Sequence, residues 1–224
     1  MAKNNPKAVA RVLLERHGQT YAQELGIQLS TNSPSSLYRL LVYSLLASAR
    51  IRASVAVAAT KALIDQGWTM PEDMVRATWA ERTYVLNHAG YARYDEKTSR
   101  MLESTSVLLL EKYHGNVAEL RSAAGRDVNK ERALLKEFKG IGDVGASIFL
   151  REVQVVWEEV FPFADRRALE EAELFGLPDT PEQLVDLVGK KDFPRLVAAL
   201  SRSRLAKDEE EVLEAAESGE KDGR

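Results

Sequence analysis

The sequence predicts an all-α protein. Apolar residues recur three and four positions apart in nearly every window, and alternation of period two is rare. Helix-opening serines and prolines precede these apolar runs, and glycines follow them. At 224 residues, 45% hydrophobic and 29% charged, the chain can bury one good core or two small ones.

The elements follow in order. Pro6 opens a helix over 6–16 that ends at His17-Gly18. Ser33-Pro34 starts a second, in which the serine caps and the proline fits the first turn; its LYRLLVYSLLASA run is apolar enough to lie centrally. A third covers 54–66 and stops at Gly67, then Pro71 and Trp79 open two short helices that finish at Asn87-His88-Ala89-Gly90. Met101, Leu102, Thr105, Leu108, Leu109 and Tyr113 share one face of a helix closed by His114-Gly115. After Gly125 and a polar stretch come a helix over 131–139, the turn Gly140-Ile141-Gly142 and a helix over 144–157. A proline-containing connection leads to a helix over 165–175 with Gly176 and Leu177-Pro178 as its exit. Pro181 starts another, and 193–205 completes the ordered body.

Several classes are excluded or disfavoured. The longest apolar stretches, 40–47 and 106–110, fall well short of the roughly 20 residues that span a bilayer. The N-terminus has no signal-like apolar core or cleavage site, so a cytoplasmic protein is expected. Without cysteine there is no disulfide, thiolate zinc or cysteine-held iron–sulfur cluster. His17, His88 and His114 lack metal-ligand spacing, and each falls near a helix end, where a cation suits the dipole; no metal and no cofactor are expected. The net charge of −3 is uneven: residues 208–224 hold eight acids and two bases, leaving 29 bases against 26 acids in 1–207. The 207–224 tail reads as frayed helix passing into disorder, serving solubility or, alternatively, mimicking phosphate toward a basic face.

The segment LLKEFKGIGDVGASIFLREV, followed by FADRRALEEAELFGL, resembles the helix-hairpin-helix motif and catalytic loop of the endonuclease III superfamily of DNA glycosylases. Upstream, SLLASARIRASVAVAATKAL is similar to the family's Leu-Ser-x-Arg-Thr-Arg run. LNHAGYARYDEKTSRMLESTSVLLLEKYHGNV is similar to its Gly-Tyr turn, long helix and Tyr-x-Gly close. Alone, a Gly-x-Gly between helices is a common turn. Four such motifs in the family's order, across about 35–177, are what carry the resemblance.

The resemblance implies two helical lobes with an interlobe cleft, one over 35–152 and one from 1–34 plus 153–206, acting as a monomer on double-stranded DNA with a damaged or mispaired base. Lys139, Gly140, Ile141, Gly142, Val144 and Gly145 would hold phosphate, chiefly through backbone N–H groups at a helix start, with Ile141 a hydrophobic plug or a minor-groove contact. Asp165 matches the catalytic aspartate, whose carboxylate would stabilise an oxocarbenium-like sugar or orient water. Without the resemblance, an Asp there reads as an N-cap, and the two roles are compatible. Arg50 and Arg52 would fill the gap left by a flipped base, or are solvated surface arginines. Tyr91 and Tyr94 are core aromatics or base-stacking ones.

The departures bear on chemistry. Bifunctional relatives carry a Schiff-base lysine where this chain has Val144, which implies a monofunctional glycosylase without lyase activity. Ala53 replaces a frequent aspartate, Ile51 a threonine, Lys139 a proline, and Arg166-Arg167 the common Thr-His. These changes keep open an inactive DNA-binding or damage-recognition protein on the same scaffold. With no cluster, the C-terminal helices must pack through Leu184, Leu187, Val188, Phe193, Leu196, Val197 and Leu200 alone.

Overall fold

The computed structural model describes residues 5–221, and every regular element among them is helical. Apart from one 3-10 turn at Leu29–Thr31, in chain order these are α1 (Pro6–His17), α2 (Tyr21–Glu24), α3 (Pro34–Ala47), α4 (Ala53–Asp65), α5 (Pro71–Arg76), α6 (Trp79–His88) and α7 (Asp95–Tyr113). There follow α8 (Val117–Ala123), α9 (Val128–Leu135), α10 (Asp143–Val153), α11 (Arg166–Leu174), α12 (Pro181–Val188), α13 (Phe193–Ala206) and α14 (Glu209–Lys221). None is long and apolar enough to cross a membrane. Local chemistry sets the starts: Asn5 accepts from Lys7 N–H ahead of Pro6, Ser33 from Ser36 N–H ahead of Pro34, and Thr78 and Glu81 form a capping box.

The chain divides into two compact units. One is drawn from both ends, up to Tyr21 and from Phe161 onward; the other runs from Ala22 to Val160. In the second, α3 is the axis. Its Leu37, Tyr38, Leu40 and Leu41 are inaccessible to solvent, and α4, α7, α8 and α10 pack around it. In the first, α1 lies on α13 and α14, and Val9, Leu13, Leu184, Phe193, Leu196, Val197 and Leu200 form the apolar centre. Leu187 and Val188 are only partly buried against it.

The observed division differs from the expected 35–152 boundaries. Ala22 N–H donates to the buried Glu152 carboxylate at 2.9 Å, and Trp157 Nε1–H donates to Asn32 at 3.2 Å. These bonds, and the edge contact of Trp157 with Phe149, join 22–34 and 153–160 to the second unit. The expected disorder of 207–224 is corrected for Glu209–Lys221, which is helix α14 seated on α1. Val212 and Ala216, four residues apart, bury one stripe of an otherwise charged helix. Residues 222–224 lie outside the described residues. Two further differences are α9, which begins at Val128 because Asp127 caps Asn129 and Lys130, and α10, which ends at Val153.

Candidate functional site

The turn between α9 and α10 is built by burial on one side and glycine on the other. Leu135 and Phe138 anchor the end of α9 in the core, and Gly140 follows with φ of 99°, a left-handed value open to glycine. A side chain there would also meet Met101, its Cβ lying 2.7 Å from Met101 Cε. Ile141 turns inward and is 3% exposed, and its N–H donates to the Phe138 carbonyl at 3.0 Å. The residue is therefore a plug; its side chain is not available as a minor-groove contact, and its N–H is already used. Thr105 of α7 donates to the Lys139 carbonyl at 3.3 Å.

At Gly142 the chain enters α10 with no side-chain cap, and the first intrahelical bond runs from Ala146 N–H to the Gly142 carbonyl. The N–H groups of Asp143, Val144 and Gly145 therefore form an uncapped helix start. Gly142, Asp143 and Val144 are exposed, whereas Gly145 is buried against α3. A Cβ on Gly145 would come to 2.3 Å from Ser48 Oγ and 3.2 Å from the Ser44 carbonyl, so this glycine lets two helices meet.

The C-terminal end of α3 is the common seat of three loops. Leu45 lies beside Gly140, Ser48 meets Gly145, and the Leu46 carbonyl accepts from the Tyr91 hydroxyl at 3.0 Å. This gathers the turn, the Ala49–Arg52 segment and the Gly90–Tyr94 loop at one end of the second unit. Arg50 and Arg52 are exposed there, and neither makes an ion pair among the described residues. Tyr91 is a core aromatic; Tyr94 is half-buried, with the exposed Arg93 guanidinium 5.3 Å from its ring centre. Arg93 was not singled out from sequence; its place beside a Gly-Tyr turn is the signal that could have found it.

One carboxylate stands at the uncapped helix start. Asp143 Oδ1 lies 2.8 Å from Lys136 Nζ and 3.5 Å from Arg132, and the Lys136 hydrogen bond holds its carboxyl below the usual range. Beneath the hairpin, Arg121 grips Glu159 at 2.6 Å and lies 5.3 Å from the Trp157 ring centre. Glu131 of α9 is wholly buried with both carboxyl oxygens unpartnered. Burial and the neighbouring Glu159 push it up to about 8, while Arg121 holds Glu159 at about 2.

Asp165 belongs to the first unit. It is the N-cap of α11, extended at φ −76° and ψ 161°, and its Oδ1 accepts from Arg167 N–H at 3.0 Å and Ala168 N–H at 3.3 Å. Phe161, edge-on to Phe193, fixes the approach to this helix. Arg166 pairs with Glu170 at 2.8 Å, and Arg204 of α13 donates to the Arg167 carbonyl at 3.3 Å. His17 pairs with Asp208 at 2.6 Å, His88 stacks on Tyr84, and His114 ends α7 in the left-handed region.

No protein-family model matches the chain, and no curated protein matches it.

Proposed function

We propose that this protein is a DNA N-glycosylase of the helix-hairpin-helix type. It hydrolyses the bond between deoxyribose and a damaged or mispaired base flipped from the duplex, without cofactor and without lyase chemistry, in the cytoplasm. The observation that carries the reading is the gathering, at one end of α3, of an uncapped helix start with Arg50, Arg52 and Arg93. Backbone N–H groups and guanidinium ions are donors suited to phosphate. The three arginines come from two loops, Arg50 and Arg52 from one and Arg93 from the other, so together they match a backbone and not a single small anion.

On this reading Asp165 supplies the carboxylate. One oxygen caps α11, which fixes the side chain's direction, and the carboxylate stabilises the cationic sugar as the base departs. The base leaves with the bonding electron pair, and water adds to the sugar carbon. Val144, with no amine, cannot form a Schiff base, so the product is an intact strand with an abasic site.

The test measures base release separately from strand scission on oxidised, deaminated and alkylated duplexes, with Asp165→Asn alongside. Release without scission by the wild type, lost in the variant, is expected. Scission without added base or heat overturns the monofunctional assignment. The capping bonds of Asp165 favour one alternative, a damage-binding protein without turnover. In that case both forms retain duplex DNA and neither releases a base.

A further inference from the structure

The first unit holds a cluster of ionisable side chains that DNA chemistry does not use. Glu171, in α11, is 1% exposed, and its Oε1 has no hydrogen-bond partner. Arg204 of α13 faces it, with Nη1 3.7 Å from Oε2, but the same guanidinium also serves Glu170 at 3.5 Å and the Arg167 carbonyl. Glu209, the first residue of α14, and Asp208, just before it, add negative charge at Glu171. Asp208 is itself held by Ser203 Oγ and by His17 Nε2 of α1, each at 2.6 Å. Glu170 and Glu171 thus share one divided guanidinium.

The attachment of α14 is slender. Lys207, left-handed at φ 60°, and Asp208 are all that separate it from α13. Its apolar seat is Val212 and Ala216 with partly buried Leu213 and Ala215, and Arg16 reaches Glu211 at 3.6 Å. Much of the rest of its surface is glutamate.

We propose that α14 is a pH-gated strap, seated on α1 while Glu171 keeps its proton and loosened where that proton is given up. Burial, and then Glu209, raise the carboxyl to about 7 in the seated state. When α14 lifts, Glu171 loses the Glu209 charge and gains water, and its carboxyl falls toward the ordinary range near 4.3. The lifted state therefore binds fewer protons between these values. Seating weakens as pH rises from the carboxylate range toward about 7 and levels off above it. Asp208, whose carboxyl is held low by Ser203 and His17 against its burial, stays ionised throughout. The proposal is independent of the DNA reading.

Amide hydrogen exchange on the full chain tests it, expressed as protection factors so that intrinsic pH dependence is removed. Between about pH 5 and pH 8, protection of α14 is expected to fall at least about tenfold, the equivalent of one unit of pKa difference, while α3 amides hold. Glu171→Gln should retain most of the acid-side protection across the whole interval. Glu209→Gln removes the facing charge from a half-buried site and should shrink the wild-type fall without burdening the core. A wild-type α14 whose protection ignores pH, or the same fall in both Glu171→Gln and Glu209→Gln, overturns the proposal.

Discussion

Buried at 1% exposure, Arg82 donates from Nη1 to the Met74 carbonyl at 2.7 Å and from Nε to Ser99 at 3.2 Å, and pairs with Glu103. Its guanidinium joins α5, α6 and α7. Arg82→Met leaves the carbonyls of Met74 and Ala77 without this donor and strips Glu103 of its partner. A loss of about 1–3 kcal/mol in urea unfolding is expected, the cost of leaving buried acceptors unsatisfied, because half-exposed Glu103 can be solvated. Gly145 makes the opposite point, that an absent atom can be structural. Gly145→Ala sets a methyl against Ser48 Oγ and the Ser44 carbonyl, with an expected cost of about 1–3 kcal/mol; the double variant with Ser48→Ala should recover part of it, since only the hydroxyl can move away. Asp143 is exposed, so its pairs with Lys136 and Arg132 contribute little stability. On the proposed reading it repels a phosphate approaching the start of α10. Asp143→Asn should therefore tighten duplex binding several-fold at low salt, with an unchanged unfolding midpoint. Fluorescence anisotropy on labelled duplex and urea titration check the two halves.

At the level of elements, what was legible in the sequence was whatever one helix decides alone. The starts at Pro6 and Pro34 are local cap chemistry, and the structure places both there. The turn at Gly140–Gly142 was legible because glycine answers a local backbone demand. The seat of α14 on α1 was not, because it rests on two small apolar side chains inside a glutamate run, and charge dominates any window through it. The shared end of α3 was likewise invisible, since Leu45, Leu46 and Ser48 receive partners from about 45 to 97 residues away. Buried carboxylates are the hardest to foresee: in sequence, Glu131 is one charge on a polar helix. Its carboxyl is raised to about 8, so the folded protein keeps a proton that the unfolded chain releases. Below the ordinary carboxylate range both states are protonated and nothing is lost. Stability should fall as pH rises from there to about 8, then level off. Glu131→Gln removes this slope, and its advantage over the wild type should grow from nil near pH 4 to on the order of 1–2 kcal/mol at pH 8. Thermal melts across that interval measure it; an equal slope in both proteins contradicts the burial argument.

Over the whole molecule, a net charge of −3 taken alone argues against a polyanionic ligand, but the sum hides the distribution. Residues 208–224 contribute eight acids and two bases, so everything before them is net basic. What a duplex would meet first is local: Arg50, Arg52 and Arg93 are exposed on loops joined to one helix end, and charges farther away than a Debye length of about 8 Å at physiological salt are largely screened. Phosphate neutralisation releases condensed counterions, so affinity should fall steeply and linearly on logarithmic axes as salt rises, whatever the base sequence. Arg50→Ala and Arg93→Ala should each lower the magnitude of that slope by about 1 and weaken undamaged and damaged duplexes alike. Lys61→Ala, an exposed lysine two turns into α4, should leave the slope as it is. Had the arginines served only as solvated surface charge, all three variants would give the wild-type slope. That outcome would remove the loop cluster as a phosphate interface, and with it the observation on which the glycosylase reading stands.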